Sequence, residues 1–444
     1  MNRTSPFKII IIVLTIFIAV FSLLVFSGKL PFFQNNGSSS RVVYSGKVII
    51  WGTVPEIAMK EYLDSITTQK TGYTFQYQQI GSIGFNQSLT QALSYGAGPD
   101  IIIAPHDVLL SNETYLSALP YTEYSEAKYK STYVDAGSIY LRSYGIIAFP
   151  LGIDPMVLFY NRDLQNNAGI IDAPKDWNTI LAIAEKYSKE SGVRGVFTTS
   201  IVPFGAYKNY VYNKDMVMTL INQLGGETIY KSNGNYATGF DMPSSVNGPT
   251  YIDSVARFLA GFANPSLSSF TWSARMPSAY DAFISGTLMY YPAYISDKAS
   301  IQNANSKLSF DYVFMPQVPD KSSLYTGARV LGMAMLSSSR NPIAAKDAYI
   351  ALSTNKDLAN SIASIAGMPS PRKDTLAGAD SSAYAEVIGK SILIAKPFYD
   401  INNEYTSSLV DTMFESIISN RAEIGNAAES FVKSIKKLYL ITNY

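Results

Sequence analysis

Apolar positions recur along this chain with two periods, and each switch between them marks a new element. Val48-Ile49-Ile50-Trp51 is a short apolar strand. From Pro55 to Thr71, Met59, Tyr62, Leu63 and Ile66 fall at helical spacing, and Gly72 supplies a stop. Tyr73 to Ile80 alternates, with Phe75 and Tyr77 on one face. Phe85, Leu89, Ala92 and Leu93 predict a second helix, and Pro99-Asp100 leads into the apolar strand Ile101 to Ala104. This β-α-β-α-β order predicts a largely parallel sheet covered by helices.

The stretch YGIIAFPLGIDPMVLFYNRDL, Tyr144 to Leu164, breaks the alternation. Two apolar strands flank a corner crowded with Pro150, Gly152, Asp154 and Pro155. A hairpin would use a tight Asn-Gly or Asp-Gly turn, and a parallel crossover would insert a helix. Neither is present, so the chain is expected to leave one sheet here and enter another. The helical period then resumes: Asp176 caps a helix bearing Trp177, Ile180, Leu181, Ala184 and Tyr187. Further helices are expected around 216–224, 251–262 and 277–284, and strands at 287–291, 311–315 and 330–336. From Pro342 onward the pattern is nearly all helical.

Composition narrows the chemistry. With 35 basic against 34 acidic residues, nothing suggests a nucleic-acid surface. The chain has no cysteine and one histidine, His106, so disulfides, thiolate catalysis and multi-imidazole zinc sites are excluded. No metal or cofactor is expected. Ile9 to Phe26 carries no charge and follows Arg3 and Lys8, which favours an uncleaved transmembrane anchor with its N-terminus inside. The alternative is a cleaved signal peptide, for which Val25-Phe26-Ser27 is a poor site. Gly28 to Arg41, rich in Gly, Asn and Ser, reads as a flexible tether.

Several motifs then carry a family resemblance. Gly98-Pro99-Asp100-Ile101 enters a strand; Tyr160-Asn161-Arg162-Asp163-Leu164 follows Phe149-Pro150 and Asp154; Pro174-Lys175-Asp176-Trp177 opens a helix. Phe283 to Met289 and Gly367-Met368-Pro369 to Lys373 complete the order. Together they resemble the extracellular solute-binding proteins of ABC importers, the large family that includes maltose-binding protein. Pro292-Ala293-Tyr294 stands where the family often has G-x-W, and Gly327-Ala328-Arg329 where it often has G-G.

The resemblance implies an α/β, two-lobed periplasmic-binding-protein type II fold, its discontinuous lobes joined by a hinge and preceded by the N-terminal transmembrane helix. The expected division is anchor 1–28, linker 29–45, first lobe 46–152 and 313–354, and second lobe 153–312 and 355–444. Crossings are expected at the Pro150–Pro155 corner, near Val313–Pro316 and near Ser353–Asn355. Pro150, Pro155 and Pro316 would frame the hinge, with Gly152 taking up rotation.

Loops after strand ends in such sheets face the ligand crevice. Glu56, Phe85, His106 and Asp107 are therefore candidates from the first lobe. Asp154 either caps hinge amides or touches ligand. Trp272, in the aperiodic SSFTWSARM, is expected exposed as a sugar-stacking platform, with Tyr291, Tyr294 and Tyr207 as further aromatics. Trp177 lies on a core stripe. Arg329 would fork onto ligand oxygens or sit in a structural ion pair. No nucleophile elbow, P-loop, dinucleotide fingerprint or H-E-x-x-H motif is present. The expectation is a monomeric, non-enzymatic binding protein held at the membrane outside the cytoplasm. It would capture a sugar or oligosaccharide and deliver it to ABC permease subunits. The alternatives are a surface adhesion or sensor module, and a carboxylate-pair glycoside hydrolase.

Overall fold

The computed structural model describes residues 46–67, 73–206, 208–232, 235–321, 323–377 and 383–441. The expected anchor and linker lie outside these residues, and so does Tyr207. Among the described residues no helix is long and apolar enough to cross a membrane.

The chain opens as its periodicity predicts, with β1 (Lys47–Gly52), α1 (Glu56–Thr67), β2 (Thr74–Gln79), α2 (Phe85–Ser94), β3 (Ile101–Pro105) and α3 (His106–Ser111). β1 pairs in parallel with both β2 and β3. The acid of the Gly-Pro-Asp motif locks this edge: buried Asp100 accepts the Ile49 amide at 2.8 Å and the Ser339 hydroxyl at 2.5 Å.

The proline-rich stretch is not a corner. It is a single strand, β4 (Phe149–Asn161), buried along almost its whole length. Its prolines sit where the ladder needs no donor. Pro150 flanks a bulge opposite Leu331 and Gly332, and Pro155 marks the end of the pairing with the later strand β7 (described below). Gly152 permits a close approach of the 368–369 segment. A Cβ there would meet Met368 Cβ at 3.0 Å, and the next amide, Ile153 N, donates to Pro369 O at 2.9 Å.

β4 nevertheless joins two halves, because it hands over from one core to another. Ile153 belongs to a cluster with Phe85, Ile102, Tyr140 and Val330. Met156 to Phe159 belong to a larger cluster with Trp177, Phe204, Trp272 and Phe283. Around this second core fold α4 (Trp177–Tyr187), α5 (Asn213–Gln223), α6 (Tyr251–Gly261), α7 (Ala279–Ile284), β5 (Tyr290–Tyr294), α8 (Asp297–Ala304) and β6 (Phe310–Phe314). Asp176 caps α4 as expected, accepting the Thr179 amide at 2.9 Å. β5 and β6 both pair antiparallel with the second half of β4.

The chain returns through β7 (Thr326–Leu336), which lies antiparallel between β3 and the first half of β4. The sheet order is β5-β4-β7-β3-β1-β2, within a nine-stranded mixed sheet. α9 (Pro342–Thr354) and α10 (Lys356–Ile365) follow. The join between them, at Ser353–Asn355, is not a crossing: α10 stays beside the first core, where Leu358 O accepts the Tyr62 hydroxyl of α1 at 3.1 Å. Residues from 355 were expected in the second half. The passage falls later, after α11 (Ala383–Leu393) and β8 (Ala395–Pro397). Ile392 and Ala395 pack in the first core and Phe398 in the second. α12 (Asn403–Ile418) and α13 (Ile424–Ile441) then complete the second core.

Candidate functional site

A cleft of about 730 Å³ lies where the two cores meet. The first half contributes His106 and Asp107 from the start of α3, directly after strand β3. β7 supplies Ala328 and Arg329. The second half contributes the 208–211 loop, the first turns of α5 and α7, and a polar stripe of α12, Asn403, Ser407 and Asp411. That stripe has i, i+4, i+8 spacing, so one helix face presents all three.

Arg329 is the central cation. Its guanidinium carbon lies 3.9 Å from the Tyr294 ring centre and 5.1 Å from that of Tyr212. Burial opposes its charge, but the electronegative surroundings of Tyr294, Asp215, Tyr212 and Asp154 outweigh this and hold its pKa up. Among the described residues its N–H groups find no hydrogen-bond acceptor, so the fork is available to a ligand. A structural ion pair, the competing expectation, is not formed.

Lys214 is committed. Its ammonium donates to Asp400 Oδ2 at 2.8 Å and also to Asn403. Burial would lower its pKa, but Asp400, Asp215 and Asp107 more than compensate and raise it. His106 has a fixed tautomer. Its Nδ1 accepts the Val330 amide at 3.3 Å, and its Nε2 faces the Phe398 carbonyl at 3.0 Å, so Nε2 carries the proton. Burial pushes its pKa down, and the ring is neutral.

Asp154 resolves in favour of capping. It is fully buried under the cleft, where it accepts the Ser296 amide at 3.0 Å and the Ser296 hydroxyl at 2.7 Å. Burial raises its pKa to about 6, against the pull of Arg329 and Ser296.

Of the residues predicted from sequence, His106, Asp107, Tyr291 and Arg329 line the cleft. Trp272 does not. It is 0% exposed, and its indole N–H donates to Asn209 Oδ1 at 2.8 Å, so it supports the cleft loop from behind. Tyr294 is buried under the Arg329 guanidinium, and Tyr291 is stacked on Phe283. Both rings are therefore spent on packing. Glu56 lies outside the cleft, paired with Lys60 on α1, and Phe85 is core. The reading missed Lys208, Asn209, Lys214, Asp215, Tyr280 and the α12 stripe. The 403/407/411 spacing was a usable signal for the last of these.

Two halves sharing a central strand, with a polar cleft between their cores, define a two-lobed α/β binding protein. Solved structures agree. A cyclo/maltodextrin-binding protein complexed with maltotetraose aligns at TM-score 0.68 and 17% identity, over 88% of this chain and 96% of that one. The GacH receptor of Streptomyces glaucescens, solved unliganded and with acarbose, aligns at 0.70 and 13%, over 90% and 99%. The cyclic α-maltosyl-1,6-maltose binding protein of Arthrobacter globiformis aligns at 0.70 and 14%, over 88% and 98%. A search of curated protein sequences finds no significant match. The model of the bacterial extracellular solute-binding protein family matches residues 61–388, and the chain belongs to that family. It is a binding protein and not an enzyme.

Proposed function

We propose that this protein captures a sugar or oligosaccharide in the cleft and delivers it to the membrane subunits of an ABC importer. The observation that carries the reading is the cleft itself. In a chain of the solute-binding family it is lined from both cores by hydrogen-bonding side chains, with an unspent guanidinium at its centre. The structural relatives bound to maltotetraose and to acarbose support a saccharide. Arg329 would grip ring or hydroxyl oxygens, Asp107 would accept hydroxyl protons, and the cleft would close about β4 and the Pro316 segment. Ile9 to Phe26 would hold the protein at the membrane with its binding unit outside the cytoplasm. The uncharged run and the preceding Arg3 and Lys8 support this. A thermal-shift screen of the full-length protein over saccharides tests the reading, since a ligand of the native state raises its stability by RT ln(1 + [L]/Kd). A panel in which no saccharide raises the melting temperature, while an amino acid or peptide does, overturns it.

A further inference from the structure

The cleft is acidic once its charges are paired off. Its lining holds three cations, Lys208, Lys214 and Arg329, and the His106 ring is neutral. Three carboxylates share the lining: Asp107, Asp215 and Asp411. Three more stand directly behind. Asp400 pairs with Lys214, and Asp154 and Asp297 flank Arg329. The helices α3, α5, α7 and α12 all begin at the cleft, and at up to about half a charge each they offset part of this excess without restoring balance.

Most of these carboxylates are occupied. Asp400 accepts Lys214 and Thr406, Asp154 accepts Ser296, and Asp297 accepts the Tyr212 hydroxyl at 2.7 Å. Asp215 lies within the fields of both Arg329 and Lys214. Asp107 also lies in the field of Lys214, but that ammonium is already bonded to Asp400 and Asn403. Among the described residues the Asp107 carboxylate accepts no hydrogen bond. Asp411 is half-buried, which pushes its pKa up against the pull of the Asn213 amide beside it. That amide nitrogen, on a side chain 4% exposed that lines the cleft, forms no well-aligned hydrogen bond of its own.

The Tyr291, Tyr294 and Trp272 rings are packed away, while Tyr280 in the lining is part-exposed and offers one stacking surface. Charge and hydrogen bonds supply the rest of the selection. Resting on the saccharide reading above, we propose that the cleft selects an amine-bearing saccharide. Asp107 and Asp411 receive its ammonium, and Arg329 donates to its hydroxyls. An anionic sugar would meet the uncompensated carboxylates and be repelled.

Titration calorimetry on the full-length protein at pH 7 tests this with four probes of equal length. These are a glucosamine tetramer, its fully N-acetylated form, maltotetraose and a galacturonate tetramer. The amine form should bind at least about tenfold tighter than its acetylated form, equivalent to about 1.4 kcal/mol. That ratio should shrink as salt is raised, and it should collapse toward one in Asp411→Asn and in Asp107→Asn. Equal or tighter binding of the acetylated form, preferred binding of the galacturonate, or a ratio unchanged in both variants overturns the inference. Binding of maltotetraose alone would do so while leaving the saccharide reading standing. Silence from all four would count against both.

Discussion

Cutting Trp272 to alanine would remove a fully buried indole and strip Asn209 Oδ1 of its donor. Trp177 is equally enclosed, its N–H donating to Gln223 Oε1 at 2.7 Å. Trp272→Ala and Trp177→Ala should therefore each lose about 3–5 kcal/mol of stability, read from urea midpoints. A Trp272→Ala protein that unfolds at the wild-type midpoint would put that ring back at the surface. Asp154 adds a pH dependence. Its folded pKa of about 6 lies above the ordinary 3.8 to which it returns on unfolding. Between those values the folded state keeps a proton that the unfolded chain has lost. The stabilisation is complete below about pH 4 and disappears as pH rises through 6, a change of about 3 kcal/mol. Asp154→Asn still accepts the Ser296 amide but does not titrate. The stability of wild type relative to this variant should fall by about 2–3 kcal/mol from pH 4 to 7, and a flat difference would contradict the burial of this carboxyl.

At the scale of elements, Gln223 closes α5 onto the segment that leads from β6 to β7. It accepts from Trp177 and donates to both Pro316 O and Tyr325 O, each at 2.9 Å. Gln223→Leu leaves the Trp177 N–H and Pro316 O unpaired, while Tyr325 O keeps Gln317 Nε2 at 3.1 Å. It should cost about 2–4 kcal/mol, measurable as a lowered melting temperature, and a loss under about 0.5 kcal/mol would show the segment is held by other contacts. The strands and helices were legible because most are buried on one face, which writes a period into the sequence. β4 was misread for the opposite reason. Buried on both faces, it carries no alternation, and its two prolines resemble breakers although one flanks a bulge and the other ends the pairing with β7. The candidate site was legible where residues follow a strand end, as His106 and Asp107 do. It was illegible in loops. Nothing local distinguishes the buried Trp272 from an exposed one, because its cover comes from distant elements. On α12 the apolar stripe drew the reading to packing, and the adjoining polar row, 403/407/411, went unread.

For the whole molecule, the cleft is lined from both halves, so a ligand that grips both should favour the closed arrangement. It can do so only through its preference for that state. Small-angle scattering of the protein saturated with a ligand of proven affinity should show a smaller radius of gyration than the free protein. Superimposable profiles would argue against closure.

The interleaving of the two cores also governs the order in which the chain becomes stable. The first core is unfinished until β7 arrives: the Tyr140 hydroxyl donates to Val330 O across 190 residues, and Ile392 and Ala395 come later still. An N-terminal fragment emerging during synthesis therefore has no complete half to fold into. Such non-local closure is intrinsically slow. A chain bound for the far side of a membrane thus remains threadable until almost all of it has been made.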